Sequence, residues 1–296
     1  MLERKVYRMP KAGSLHRLAL QEERLEAPAP GEVCVQVRAI GLNFADIFAM
    51  QGLYSATPSG SFIPGLEFSG EVLATGTGVT GWKRGDRVMG VTRFGGYVSG
   101  INIDHRYIIP LPDGWSFEEG AGFLVQGLTA YYALTALGNL RERATVLIHS
   151  AAGGVGLMAN RICKRLGAFT IGTVGQPAKA DFLQKKEGYD RVIVRDRDFP
   201  RKLQEALGGR SLEIVMECIG GTILRQSWEA MAPMGRMIAY GSASFTSHGN
   251  RPNYLKLYWK FLRRPKIDPL RLPSQNKSLM GFNLIFLYEH TELMHT

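Results

Sequence analysis

The hexapeptide Ala151-Ala152-Gly153-Gly154-Val155-Gly156 constrains the fold of this chain more than any other feature. It follows Thr145-Val146-Leu147-Ile148, an apolar run of the buried-strand type, and it opens a segment with helical periodicity. Val155, Met158, Ala159, Ile162, Cys163 and Leu166 recur on one face, and Arg161, Lys164 and Arg165 take the other. Gly167 then suits the end of the helix. Strand, glycine-rich turn and helix in this order make a dinucleotide fingerprint. Gly153 lets the backbone approach a pyrophosphate, and Gly156 lets the helix lie close to the sheet. The helix start supplies N–H groups and the positive end of the dipole. Ala151 stands where the first glycine of the motif usually falls. Ala151, Gly153, Gly154, Val155 and Gly156 are therefore candidate cofactor contacts. The plainer alternative is a tight turn with no ligand.

The pattern around the turn is repetitive. Further strands are expected at Phe169–Val174, Arg191–Val194, Leu212–Met216 and Gly235–Tyr240, with helices at Ala178–Lys186 and Thr222–Met231. Repeated strand–helix units predict a doubly wound parallel sheet of the Rossmann type. Before Asp113 the signal is different. Val33–Ala39, Gly70–Ala74 and Asp86–Gly90 are short strands between glycine-rich turns, which predicts a compact β-barrel. Ser116 followed by Glu118 and Glu119 marks a helix start. The uncharged stretch between Glu119 and Arg141 reads as a buried helix, too polar to span a bilayer. The expected organisation is an α/β chain with a barrel domain over 1–117, a cofactor domain over 118–250 and a remaining segment over 251–296.

Charge narrows the choice of cofactor. A site for NADH usually carries Asp or Glu near the end of the second strand, to hold the ribose hydroxyls. None occurs from Gly167 to Ala180. Lys179 follows that strand instead, and Arg195 ends the third, where cations can pair with a 2′-phosphate. NADPH is therefore the expected cofactor, with ordinary solvated surface charge as the alternative for both residues. Thr173, Gly175, Gly220 and Gly241 lie at or near strand ends and complete the candidate set. The net charge of +10 suits an anionic cofactor, nucleic acid or an anionic membrane, and does not choose among them. Cys34, Cys163 and Cys218 are odd in number and far apart, so neither a disulfide framework nor a CxxC metal site is expected. Free thiols suit a cytoplasmic setting, and the polar start at Met1-Leu2-Glu3-Arg4-Lys5 lacks a signal-peptide core.

The motifs, taken in order, resemble a known family. Gly31-Glu32-Val33, Gly41 to Asp46, Ile63 to Gly70 and Gly85 to Val88 come first. Gly127-Leu128-Thr129-Ala130-Tyr131 precedes the fingerprint, and Glu217-Cys218-Ile219-Gly220-Gly221 follows it. Each is modest alone; in sequence they resemble the zinc-independent branch of the medium-chain dehydrogenases, near the zeta-crystallin-like quinone oxidoreductases and the VAT-1-like proteins. The enoyl reductase domains of polyketide synthases are also similar. The resemblance implies a GroES-like catalytic domain beside a Rossmann domain, an active cleft between them and a homodimer. Zinc relatives place a cysteine near Asn43 and a histidine in a Gly-His-Glu segment, which here reads Gly65-Leu66-Glu67. No metal is expected. Two departures stand out. The strand position at which relatives often carry a tyrosine is Arg195, and relatives continue beyond the point matching Thr296 to complete the catalytic domain. A fragment or a short member is expected.

The implied reaction is hydride transfer from NADPH to a quinone or an α,β-unsaturated carbonyl. Without a metal, the acceptor's oxygen must be polarised by hydrogen bonds. The resemblance places Asn43 and Tyr54 in the loop facing the nicotinamide, as donors, with Asp46 orienting them and Thr129 against the ribose or amide. Asn43 equally suits a turn, Tyr54 loop packing and Asp46 a helix start. His149 suits a structural role or a general acid, and His105, His290 and His295 show no ligand spacing. Two rivals belong to other classes. Arg251 to Lys277 interleaves eight cations and one acid with Tyr254, Tyr258, Trp259 and Phe261, as in a helix lying on anionic membrane. The same residues can stack nucleic-acid bases, but no RNP, KH or zinc-finger pattern accompanies them.

Overall fold

A computed structural model describes residues 2–246 and 249–290; His295 lies outside the described residues. The chain divides into two units. One holds residues 1–125, 247–252 and 284–296, the other 126–246 and 253–283.

The first unit is antiparallel. Strands β1 (Leu2–Arg8) and β2 (Ala19–Leu25) pair as a two-stranded sheet. They are followed by β3 (Glu32–Ile40), helix α1 (Phe44–Gln51), β4 (Glu67–Thr75), β5 (Arg87–Val91), β6 (Gly100–Asp104) and β7 (Ile108–Pro110). The expected barrel takes the form of a five-stranded sheet in the order β6-β3-β4-β5-β7. Bridges Val6–Val98 and Met9–Phe62 tie the chain of β1 to the loops around that sheet. The core contains Val33, Val35, Phe68, Val72, Val88, Ile101, Ile103 and Ile108. Val33, Val35 and Val37 of β3 face this core, as the period of two requires, and after the register shift before Ala39 it is Ile40 that packs against it. Ser116 begins α2 (Phe117–Ala121) with a capping box: Glu119 N–H donates to Ser116 Oγ at 3.1 Å, and Ser116 N–H donates to Glu119 Oε2 at 2.8 Å. The single buried helix expected up to Arg141 is instead three pieces. Gly122 ends α2, α3 covers Leu124–Tyr131, and a π-helical turn covers Tyr132–Leu137.

The second unit holds β8 (Thr145–Ile148), α4 (Gly154–Arg165), β9 (Phe169–Val174), α5 (Ala180–Lys185), β10 (Arg191–Val194) and α6 (Phe199–Leu207). It continues through β11 (Ile214–Glu217), α7 (Gly221–Ala230), β12 (Arg236–Ala239), α8 (Tyr254–Leu262) and β13 (Ser278–Gly281). The strands are parallel in the order β10-β9-β8-β11-β12-β13. Counted within the unit this is the 3-2-1-4-5-6 order of a dinucleotide-binding sheet, with its switch point between β8 and β11. Neighbouring residues of one strand serve opposite faces. Val146 and Ile148 pack with Ala159 and Cys163 of α4, while Leu147 packs with Phe199, Leu203 and Leu207 of α6. A strand buried on both faces has no polar alternation, which is why β8 reads as an unbroken apolar run. Each fully buried Leu or Phe here contributes about 1.5–3 kcal/mol.

The structure adds α1, α6, the β1–β2 pair and β13. Helix α6 is anchored by Phe199, Leu203 and Leu207, four residues apart. Strand β13 is mostly exposed and only four residues long, so its place at the sheet edge comes from pairing with β12 and not from its own pattern.

Candidate active site

The phosphate-type turn is built from the end of β8 upward. Ser150 takes a left-handed conformation at φ 51°, reversing the chain after His149. Ala151 is fully buried and its N–H donates to Thr173 O at 3.0 Å, tying the turn to β9. Gly153 is extended at φ −86° and ψ 163° and caps α4 without a side chain. The N–H groups of Gly154, Val155 and Gly156 form the first turn, where a helix has no internal acceptors. A Cβ at Gly156 would lie 2.6 Å from Ala151 O, and one at Gly154 would overlap the Gln126 side-chain amide. The turn thus presents backbone N–H groups at a helix start, with the Gln126 side chain packed against Gly154, and this start fits a pyrophosphate.

Around it stand the other strand ends. Lys179 is exposed at the turn Pro177–Lys179. Arg195 is half-buried: its Nη1 donates to Thr173 Oγ1 at 2.7 Å, and its Nη2 lies 3.4 Å from where a Cβ on Gly175 would sit. Of the two cations, only Arg195 reaches across β9. Thr173 is fully buried, its hydroxyl held between Arg195 and His149 Nδ1, the latter at 2.9 Å. Gly220 has φ 79° and donates its N–H to Glu217 Oε1 at 2.5 Å. Gly241 is exposed beside Cys218, and Thr129 is nearly buried on α3. Composition and spacing gave no sign that His149, Thr173, Glu217 and Ser227 converge. They come from three strand ends and helix α7, separated by up to 78 residues between His149 and Ser227.

In the first unit, Asn43 and Asp46 lie at the start of α1. Asn43 N–H donates to Asp46 Oδ2 at 2.8 Å, so Asp46 takes the helix-start place. Tyr97 OH also donates to Asp46 Oδ2, at 2.9 Å, while Asp46 Oδ1 is buried without a hydrogen-bond partner. Asn43 Nδ2 donates to Glu67 Oε1 at 2.8 Å, and Val125 N–H donates to Glu67 Oε2 at 2.8 Å. The Asn43 amide is therefore aimed by Glu67 and retains a second N–H. Burial lifts Asp46 to about 6 and Glu67 to about 7, and their mutual repulsion adds to the rise at Glu67. Tyr54 packs on Met9, Ala49, Met50 and Phe62, and its carbonyl accepts from Thr57. Glu67 and Tyr97 are the residues sequence reasoning passed over; the Gly65-Leu66-Glu67 segment was the available signal.

Among the described residues no group of three His, Cys, Asp or Glu side chains is arranged to hold a metal, and no helix is long and apolar enough to cross a membrane.

Comparison with known proteins agrees with this geometry. The alcohol dehydrogenase GroES-like domain family matches residues 29–113, and the zinc-binding dehydrogenase family matches 154–285. The synaptic vesicle membrane protein VAT-1 homolog of Danio rerio is 34% identical over 89% of this chain, and the match spans 54% of that protein. The Homo sapiens VAT-1 homolog is 32% identical over 90% of this chain and 68% of its own length. The chain thus spans between about half and two thirds of these relatives. The crystal structure of Escherichia coli quinone oxidoreductase complexed with NADPH superposes with a TM-score of 0.83 at 31% identity, covering 99% of this chain and 85% of that one. Fold, motif order and relatives converge: the chain belongs to the medium-chain dehydrogenase/reductase family of oxidoreductases, in the branch of the quinone oxidoreductases and VAT-1 homologues.

Proposed function

We propose that this protein is a metal-free, NADPH-dependent reductase of a quinone or an α,β-unsaturated carbonyl, a polyketide-type enoyl being one form of the latter. The observation that carries the proposal is the glycine-rich helix start at the switch point of the sheet, with Arg195 laid across β9 and no acid at that strand end. Gly153, Gly154, Val155 and Gly156 would hold the pyrophosphate, and Arg195 with Lys179 the 2′-phosphate. Bound NADPH would supply the hydride. Asn43 would donate its second amide N–H to the acceptor's oxygen as negative charge develops there, held in aim by Glu67. Tyr54 would give a hydrogen bond or a proton. Asp46 acts on Asn43 only through its backbone, so its part is positioning. A homodimer through the parallel sheet is part of the same reading.

Fluorescence titration and thermal melting with NADPH and NADH test it. NADPH is expected to bind more tightly than NADH and to raise the melting temperature. Equal affinity for the two would remove the assignment of Arg195 and Lys179, and no binding of either would remove the reductase reading. A turnover screen of quinones, enones and enoyl thioesters would identify the acceptor.

One observation favours a second reading, contact with an anionic membrane surface through residues 251–277. On α8, Tyr254, Leu255, Tyr258 and Trp259 are 57–77% exposed, next to Lys256, Arg263 and Arg264. Lys260 is turned inward and donates to Ser244 O, so Lys256→Glu with Arg263→Glu is the appropriate pair. Loss of co-sedimentation with phosphatidylserine vesicles in that double variant would support the contact; no sedimentation of the unaltered protein would exclude it.

A further inference from the structure

We propose that His149 and Thr173 form a one-way hydrogen-bond relay that fixes Arg195 for the 2′-phosphate, which makes His149 a positioning residue for NADPH selectivity. The inference rests on the cofactor reading above. It starts from burial. His149, Thr173, Glu217 and Ser227 are each fully buried, so their polar atoms must satisfy one another.

The Arg195 end of the relay has a fixed direction. A guanidinium carries five N–H donors and no acceptor. Arg195 Nη1, 2.7 Å from Thr173 Oγ1, is therefore the donor of that bond. The Thr173 oxygen has a lone pair left for a second donor, so the bond to His149 Nδ1, 2.9 Å away, takes its direction from the far side of the ring: the carboxyl oxygen Glu217 Oε2, 3.5 Å from Nε2, favours the imidazole proton there and leaves Nδ1 to accept from Thr173. A ring nitrogen that accepts carries no hydrogen, so the imidazole proton lies on Nε2. That nitrogen is 2.9 Å from Ser227 Oγ and 3.5 Å from Glu217 Oε2. Glu217 Oε1 already accepts from Ile219 and Gly220 N–H, each at 2.5 Å, and Oε2 has no hydrogen-bond partner of its own. The bonds from Arg195 and Thr173 thus point one way, toward His149, whose Nε2–H faces Ser227 Oγ and, farther off, the carboxyl of Glu217. A charged His149 would put a second hydrogen on Nδ1, facing the Thr173 proton, and would break the relay between Thr173 and the ring. Burial, with Arg195 nearby, holds the ring down to about 3, so it stays neutral at ordinary pH.

Position in the fold explains what the relay does. His149 directly follows β8, Glu217 ends β11, Thr173 lies at the end of β9 and Arg195 just past β10. These are the strand ends on both sides of the switch point, beneath the phosphate-type turn. An arginine side chain is long and flexible; one that is ordered before the ligand arrives loses less freedom on binding. The relay therefore favours a ligand with a phosphate at the ribose, and is indifferent to the pyrophosphate that NADH and NADPH share.

Titrations of NADPH and NADH into the whole protein, Thr173→Val, Thr173→Ser and Arg195→Gln provide the test. The ratio of the NADH to the NADPH dissociation constant is expected to fall about tenfold in Thr173→Val, one charge-assisted hydrogen bond's worth, and to recover in Thr173→Ser. A merely structural Thr173 would lower the melting temperature and leave the ratio alone. An unchanged ratio in Thr173→Val beside a fall in Arg195→Gln overturns the relay and leaves the phosphate reading standing. An unchanged ratio in Arg195→Gln overturns both. Nitrogen-15 spectra of histidine-labelled protein give a check that needs no altered Thr173: one ring, absent from His149→Gln, should be neutral and protonated on Nε2 from pH 6 to 8. A proton on its Nδ1 overturns the proposal.

Discussion

Replacing Gly156 by alanine tests the geometry of the phosphate-type turn most directly. An added Cβ would meet Ala151 O at 2.6 Å, Ala151 Cα at 2.7 Å and Ala151 C at 2.8 Å, all backbone atoms. An ordinary contact begins near 3.4 Å, so the two segments must part by about 0.8 Å. Both are pinned. Tyr189 OH donates to Gly156 O at 2.8 Å, and Ala151 N–H donates to Thr173 O at 3.0 Å. Overpacking of this kind costs about 1–3 kcal/mol. The higher helix propensity of alanine returns at most about 1 kcal/mol. From the middle of that range the net loss is about 1 kcal/mol, a fall in melting temperature of roughly 2–4 °C for a unit of this size. Calorimetry without cofactor measures it, and NADPH affinity should fall with it because the helix start has moved. Gly154→Ala is the contrast. There the obstacle is the Gln126 side-chain amide, which can swing aside. Any cost at Gly154→Ala should vanish in the Gly154→Ala, Gln126→Ala double variant. A Gly156→Ala protein as stable as the parent, or a Gly154→Ala defect that Gln126→Ala does not relieve, would refute the packing argument.

Other outcomes follow from the first unit. Burial raises Asp46 from 3.8 to about 6 in the fold, so the native state binds this proton more tightly than the unfolded chain. The resulting stability is full below pH 3.8 and is lost as pH rises through about 6. Asp46→Asn should flatten that part of the pH profile by up to about 3 kcal/mol between pH 3 and pH 7 in urea unfolding; parallel profiles for the two proteins would reject the assignment. Asn43→Ala and Tyr54→Phe should lower kcat by roughly 10- to 100-fold and weaken NADPH binding much less, as seen in steady-state rates and direct titration. Unchanged turnover in both would remove these residues from the reaction.

The amino-acid sequence by itself determined the second unit's alternation. Strands β8, β9 and β10 and helix α4 lie where local pattern places them, because buried strands and a two-faced helix write their surroundings into residue order. It also located the glycine-rich turn, since only residues without a Cβ tolerate the approach of Ala151 to Gly156. Tertiary structure alone decided the rest. Strand β13, four mostly exposed residues, gains its place from the edge of β12. Asn43 finds Glu67, and Arg195, Thr173, His149, Glu217 and Ser227 come into line, only when the sheets set their strand ends side by side. Hydrogen bonds between residues far apart in sequence leave no periodicity to read; their partners are chosen by topology, and burial then forces each polar atom to accept the neighbour it is given.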